Sequence, residues 1–316
     1  VSATAPSTST QTNGPLGALL TLNGLEPDNL LAFLALLGLL RALEKAQPQW
    51  RPRVAWRGTP MTAELQIASS ISAEEMVSAA DEGIRESGRA YDFDRVDITY
   101  TREEFRHFAT ARATDPERAR LVAALASDGA IRRDGETVEP TSLCAMFGQG
   151  HQHFLSRLSG MATRDHPANA LDLSRALFEA WTYEDDTDGF RWDPMEDRRY
   201  AHQYGDPGQS RNQIGAVTGA NRLAAIGFGL FASMPTARGL MTLGIAGMRR
   251  ERYVYWPLVS VPTSLAGHLA LLAHPDTGDE ERAVVLTSYG VHAIARARRY
   301  QVGKFFNFER ARLQVL

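Results

Sequence analysis

The chain has 316 residues, 44% of them hydrophobic and 22% charged, with a formal net charge of −3. That apolar content suffices for one large core or two domains and excludes a disordered protein. One cysteine, Cys144, excludes an intrachain disulfide and a four-cysteine zinc site; it fits a reducing, cytoplasmic setting and reads as a buried inert thiol before it reads as a nucleophile served by His151 or His153.

Residues 1–14, rich in Ser, Thr, Gln and Asn, are expected to be a disordered tail without the basic and apolar regions of a secretory signal. Gly17–Gly24 reads as a short buried strand. Pro27-Asp28-Asn29 then caps a helix to about Ala46, whose nearly continuous apolar residues predict burial on most sides. Arg51–Arg57 and Thr62–Ala68 form a hairpin pattern around Gly58-Thr59-Pro60, Ser72 opens an amphipathic helix to about Gly88, and Val96–Tyr100 reads as a strand. Helices follow over Thr101–Ala111 and Asp115–Ala126, then a polar connector with a hairpin over Ile131–Val138, then helices near 151–159 and 168–182.

Beyond a loop at 183–210, a helix is expected from Asn212 to Ala232. Gly215 and Gly219 are four apart, as are Ala216 and Ala220, so this helix offers a small face for close backbone approach. Strands are expected at Gly239–Gly244 and Arg252–Leu258 about a turn at Ala246-Gly247, a short helix at Thr263–Ala273, a strand at Arg282–Ser288, and an aromatic and basic tail from His292 to Leu316. Leu30–Leu43 is shorter than the roughly 20 residues a membrane span needs, and the run from Ile214 to Met234 contains Asn221 and Arg222; no membrane contact is expected. The whole reads as a helix-rich α+β protein: a mixed N-terminal part with a buried helix and short strands, followed by a helical and antiparallel-strand C-terminal part.

The charge is polar along the chain. Residues 1–190 carry 18 Lys and Arg against 27 Asp and Glu, and residues 191–316 carry 16 against 10. We therefore divide the chain softly at 186, into an acidic α+β domain (15–186) for docking and a basic α+β domain (187–316) for nucleic-acid contact. Arginine dominates the cations, which suits bidentate phosphate and base recognition, although a coding bias toward arginine would produce the same excess.

Three basic clusters carry the nucleic-acid reading. Arg191, Arg198, Arg199 and Tyr200 lie in the central loop; Arg249, Arg250 and Arg252 adjoin Tyr253, Tyr255 and Trp256; Arg296, Arg298, Arg299, Tyr300, Lys304, Phe305 and Phe306 repeat the theme. Cations neutralise phosphates and aromatic faces stack on unpaired bases. In a strand, Tyr253 and Tyr255 share one face while Arg252 and Trp256 share the other. The plainer reading makes the aromatics core and the arginines its solvated edge. Arg211, Asn212 and Gln213, at a helix start, are placed to hold a phosphate or read base edges, or simply to cap. Asp185, Asp186, Asp188, Asp193, Glu196 and Asp197 invite a Mg²⁺ or Ca²⁺ reading, but neighbouring arginines favour ion pairing, so no metal and no cofactor are expected. No Gly-x-Ser-x-Gly, Gly-x-x-x-x-Gly-Lys or His-Glu-x-x-His motif occurs.

Leu22-Asn-Gly-Leu25 with Glu26–Leu43, the block Arg191-Trp-Asp-Pro-Met-Glu-Asp-Arg-Arg-Tyr200 with Ala201-His202-Gln203, and the helix Asn221–Gly227 together resemble the compact large subunits of type I-G (formerly I-U) CRISPR Cascade complexes, over about residues 15–260. The resemblance implies a non-catalytic subunit of an RNA-guided surveillance complex. Its partners would be target double-stranded DNA, the CRISPR RNA with the backbone and other Cascade subunits, and a recruited helicase-nuclease. The subunit would recognise the protospacer-adjacent motif and help open the duplex, while guide pairing reads the remainder. Tyr200, Tyr204 or Tyr255 would then wedge or stack at the opened step. The chain is short for a large subunit, so the usual C-terminal helical bundle would be reduced, absent or supplied by another protein. Two rival readings are a metal-dependent nuclease using Asp185, Asp193, Glu196 or Asp197, and a scaffold without DNA contact.

Overall fold

The computed structural model describes residues 17–146, 153–185, 189–196, 215–248, 251–302 and 305–316. Strand β1 (Ala18–Leu22) leads to helix α1 (Leu30–Ala46), strands β2 (Arg53–Arg57) and β3 (Thr62–Ile67), and helices α2 (Ala73–Gly88), α3 (Arg102–Arg112) and α4 (Pro116–Leu125). Strands β4 (Ala126–Ile131) and β5 (Val138–Pro140) precede α5 (Phe154–Ala162), α6 (Asn169–Phe178) and α7 (Thr218–Phe228). Then come β6 (Ser233–Thr236), β7 (Gly239–Thr242), β8 (Ile245–Met248), β9 (Glu251–Val259), α8 (Leu265–Ala273), β10 (Val291–Val302), β11 (Phe305–Phe308) and β12 (Arg312–Val315). Every described strand pair is antiparallel, in sheets ordered β1-β3-β2 and β11-β10-β9-β8, with β12 also on β10, plus the hairpins β4–β5 and β6–β7. The fold is thus α+β and helix-rich.

Side-chain caps set the helix starts. Asn29 Oδ1 accepts from the backbone N–H of Leu31 at 2.9 Å, and Ser72–Glu75 and Thr101–Glu104 form reciprocal capping boxes. Helix α1 is buried from Leu30 to Leu40 and crosses α7 backbone to backbone. A Cβ on Gly38 would collide with the Leu223 carbonyl, and one on Gly227 with the Leu34 carbonyl. The small face expected from Gly215, Ala216, Gly219 and Ala220 does not form as such: α7 begins at Thr218, Gly215 precedes it against the Tyr183 and Asp185 carbonyls, and Gly219 is pressed on the Asp172 carbonyl of α6.

One cluster of buried apolar side chains runs from Leu22 to Ala311 and crosses residue 186. The change of charge sign there marks a change of surface and no break in the core. In the C-terminal sheet the inner face carries Val254, Trp256 and Leu258 opposite Ala297, Ala295 and Ala293, all fully buried. Trp256 stacks on Phe33 of α1 with ring centroids 5.5 Å apart, and its Nε1 donates to the Pro27 carbonyl at 3.0 Å.

Several expected elements differ. Val96–Tyr100 is not a strand: the Val96 carbonyl accepts from Leu155 N–H, and Asp97 accepts from Phe154 N–H and the His153 ring, so the segment caps α5. Arg282–Ser288 is not a strand either. Asp279 accepts from Glu281 and Arg282, and a 3₁₀ turn runs over Ala283–Tyr289 to Gly290, at φ 81°. The helix assigned to Asn212–Ala232 is described only as Thr218–Phe228, Ala246-Gly247 lies inside β8, and the tail is the sheet's long strand β10 with its two partners. The tail at 1–14 lies outside the described residues.

The α1–α7 crossing leaves no room for a methyl group. Gly38→Ala and Gly227→Ala are each expected to destabilise the chain by about 1–3 kcal/mol, as overpacked cores do. Urea denaturation measures this, and wild-type midpoints in both variants would refute the contact.

Candidate functional site

Arg252 and Arg299 face each other directly across β9 and β10, at the end of the apolar inner row. Like charges in directly opposed positions destabilise a sheet. Arg299 is only 8% exposed. Its Nη2 donates to the Cys144 carbonyl at 3.3 Å, its guanidinium lies 3.4 Å from the centroid of Phe306, and its Nε has no hydrogen-bond partner among the described residues. Burial, and then the charge of Arg252, lower its pKa to about 9.

The pair opens into a cavity of about 270 Å³, which Arg132 and Arg133 of the β4–β5 turn wall on another side. Its lining brings Arg132, Arg133, Arg252 and Arg299 around the carboxylate of Glu139, and Arg132 also interacts with Asp134 in the hairpin turn. Glu139 Oε1 accepts from Arg252 Nη2 at 3.1 Å, and Oε2 from Leu240 N–H of β7 at 3.1 Å. Ser142 Oγ accepts from Arg252 Nη1. A cationic concavity with an incompletely paired buried guanidinium is chemically an oxyanion site.

Of the residues singled out in sequence, Arg252, Arg299 and Phe306 line this cavity, Arg252 on the same sheet face as Trp256. Arg298 is on the opposite face, half-exposed, 3.8 Å from Glu309. Arg191 is turned inward: its guanidinium donates to Asn307 Oδ1 at 3.2 Å and its backbone N–H to Glu196 Oε2 at 2.5 Å, so it is held within the fold. Arg198, Arg199, Tyr200, Arg211, Asn212, Gln213, Arg249, Arg250 and Lys304 lie outside the described residues, as do His151, Asp186, Asp188, Asp197 and Tyr204. Arg132, Arg133 and Glu139 were missed. The visible signal was two consecutive arginines before the Asp134-Gly135 turn, which a hairpin must present at its tip.

The described start of the central block, from Phe190 to Asp193, is buried. Phe190 and Trp192 stack at 4.3 Å, and Trp192 lies parallel to Phe228 of α7 at 6.0 Å, its Nε1 donating to the Leu143 carbonyl at 2.8 Å. Asp193 accepts from Asn29 Nδ2 at 3.0 Å, Tyr183 OH at 3.2 Å and Met195 N–H at 2.7 Å. Asp185 accepts from Thr218 N–H at the start of α7 at 2.6 Å. Among the described residues no group of three or more His, Cys, Asp or Glu side chains is placed to hold a metal. Cys144 is buried, and burial pushes its thiol up to about 12.

Many arginines of the second part are engaged by the chain's own carboxylates: Arg222 with Asp81 at 2.8 Å, Arg310 with Glu26 at 2.7 Å and Asp28 at 2.9 Å, Arg282 with Asp276 at 3.0 Å, and Arg296 with Glu280. Arg296 also lies 3.8 Å from the Tyr253 ring centroid. No described helix is long and apolar enough to cross a membrane. No protein-family model matches the chain, and no curated protein shows a significant match to it.

Glu196 gives the block a pH signature. Burial, and then the Asp193 charge, push its carboxyl up to about 8, above the ordinary 4.5. The folded state therefore holds this proton more tightly than the unfolded state. Its stabilising contribution is complete below about pH 4.5 and is lost as pH rises through 8. Glu196→Gln should be more stable than wild type at pH 8.5 and flatter in thermal midpoint between pH 5 and 8. His268, held near 4 by burial, acts in the opposite sense only below its ordinary 6.5 and is common to both proteins. Parallel wild-type and variant curves would show that Glu196 does not titrate in this range.

Proposed function

We propose that this chain is a non-catalytic nucleic-acid-binding subunit: the compact large subunit of a type I CRISPR RNA-guided surveillance complex, recognising the protospacer-adjacent motif in double-stranded DNA and helping to open the duplex. Its partners are the CRISPR RNA-bearing backbone, the other Cascade subunits and a recruited helicase-nuclease, in the cytoplasm. The observation that carries the DNA-binding part is the cavity lined by Arg132, Arg133, Arg252 and Arg299, where the buried Arg299 makes no ion pair among the described residues. The assignment to the large subunit rests on the resemblance of the opening, central and α7 blocks.

A scaffold without DNA contact is the second reading. It is favoured by the internal ion pairs of Arg222, Arg282, Arg296 and Arg310, which remove cations from any ligand. For a nuclease, Asp185, Asp193 and Glu196 are each already held by backbone or side-chain donors of the fold.

The readings separate on the assembled complex with short target duplexes. If the four arginines contact phosphates, log Kd rises with log salt with a slope of up to about 3.6 from this site, which is roughly a hundredfold weakening from 50 to 200 mM. Arg132→Gln with Arg133→Gln should weaken binding at least tenfold and reduce that slope by about 2. Assemblies that form normally and keep both affinity and slope would favour the scaffold.

A further inference from the structure

A sheet seldom places two arginines opposite each other, and here one of them is buried. The fold supplies a partial remedy. Glu139, at the end of the β4–β5 hairpin, reaches Arg252 with one oxygen and the backbone N–H of Leu240 with the other. It thereby ties the β6–β7 hairpin to the cavity wall. One carboxylate, already paired with Arg252, cannot neutralise the opposed Arg252 and Arg299 together, and Arg299 makes no ion pair among the described residues. Its buried Nε has no hydrogen-bond partner among the described residues, and Ser142 adds a hydroxyl beside Arg252. The cavity, about 270 Å³, equals roughly nine water volumes, enough for a phosphate group with part of its hydration shell.

We propose that this cavity is a binding site for a single phosphate group, held by Arg252 and Arg299, and that Glu139 is its built-in competitor. A phosphate supplies the oxyanion that a planar guanidinium accepts in bidentate fashion. It also removes the repulsion between the two opposed cations. Its approach brings like charge against Glu139, so binding weakens the Glu139 hold on Leu240 and frees the β6–β7 hairpin tip. The proposal deepens the nucleic-acid reading, and rests on it only for the source of the phosphate, a backbone diester; the same chemistry would accept a free monoester.

The test uses the full chain and inorganic phosphate at low ionic strength, followed by phosphorus NMR line broadening and by calorimetry. Wild type should bind saturably with one site. Glu139→Gln should bind at least fivefold more tightly, because the competitor loses its charge. Arg299→Met should lose binding while keeping or raising the thermal midpoint, since it removes a buried cation and its repulsion; this shows that a loss is not unfolding. Arg252→Gln provides a second loss variant. Absence of saturable binding to wild type, binding unchanged in Arg299→Met, or Glu139→Gln no tighter than wild type would each overturn the proposal. Competition assigns the source: displacement by an oligonucleotide without terminal phosphates identifies a backbone diester, and displacement only by a mononucleotide identifies a monoester. Phosphate binding with these variant effects in an assembly that does not retain duplex DNA would leave the site standing and remove the nucleic-acid reading. Salt-sensitive DNA retention that ignores Arg299→Met would do the reverse.

Discussion

Helices α1 and α7 touch backbone to backbone at Gly38 and Gly227, and the placement of the surrounding elements follows from that contact. With no side chains between the two axes, the bulky residues of both helices are directed to the flanks. Phe33 goes to Trp256 of the C-terminal sheet, and Phe228 goes to Trp192 and Phe154. Each flank then becomes an aromatic stack, which contributes beyond its buried area. Helix α2 approaches α1 in the same manner, with Gly83 against the Ala42 carbonyl. The continuous apolar run of α1 is thus explained: it is enclosed by α7, α2 and the sheet, and no face is left for polar residues.

The entrance to α1 joins the parts. Within Glu26–Asn29, the Pro27 carbonyl accepts from Trp256, the Asp28 carbonyl accepts from Ala311 N–H, and Glu26 and Asp28 hold Arg310. Asn29 caps α1 with its oxygen and donates to buried Asp193 with its nitrogen. The opening segment and Asp193 therefore meet in one hydrogen-bonded junction. Buried polar groups are costly unless fully paired, so such a junction constrains both together. It also accounts for part of the charge polarity along the chain: acidic groups before residue 186 are the internal partners of arginines after it.

Legibility in the sequence followed local chemistry. Caps such as Asn29, Ser72, Thr101, Asp115 and Ser264 are written in single residues, and the helices they start were readable. Where a segment's carbonyls serve another element, as Val96 does for α5, the apolar alternation suggested a strand that does not form. Strand β10 was hidden because its inner residues are alanines, which alternate with arginine and carry little hydrophobic signal. Small size at Ala295 is what leaves space for Trp256 directly opposite. The central block misled for the converse reason. Its turn formers and charges looked like a surface, while the four consecutive residues Phe190–Asp193 are all buried, the charged ones held by partners inside the fold. As for the cavity, parity along β9 and β10 puts Arg252 and Arg299 on one face, but only the pairing register, set by long-range packing, makes them opposite.

That register is why the arginine excess is not merely compositional. A coding bias enriches arginine everywhere, and the effect should then be solvated guanidinium groups on exposed faces, as with Arg298. It does not select a position 8% exposed, directly across from another cation, at a cost in both desolvation and repulsion. Arginine tolerates such a place because its charge is delocalised and one edge can lie on the Phe306 ring while another bonds the Cys144 carbonyl. Those contacts orient the group without neutralising it. Among the described residues Glu139 is the carboxylate that reaches the Arg252–Arg299 pair, and it is shared with a backbone donor of β7. A site in which the protein supplies orientation, and too few negative charges, is completed by an anion from outside the chain.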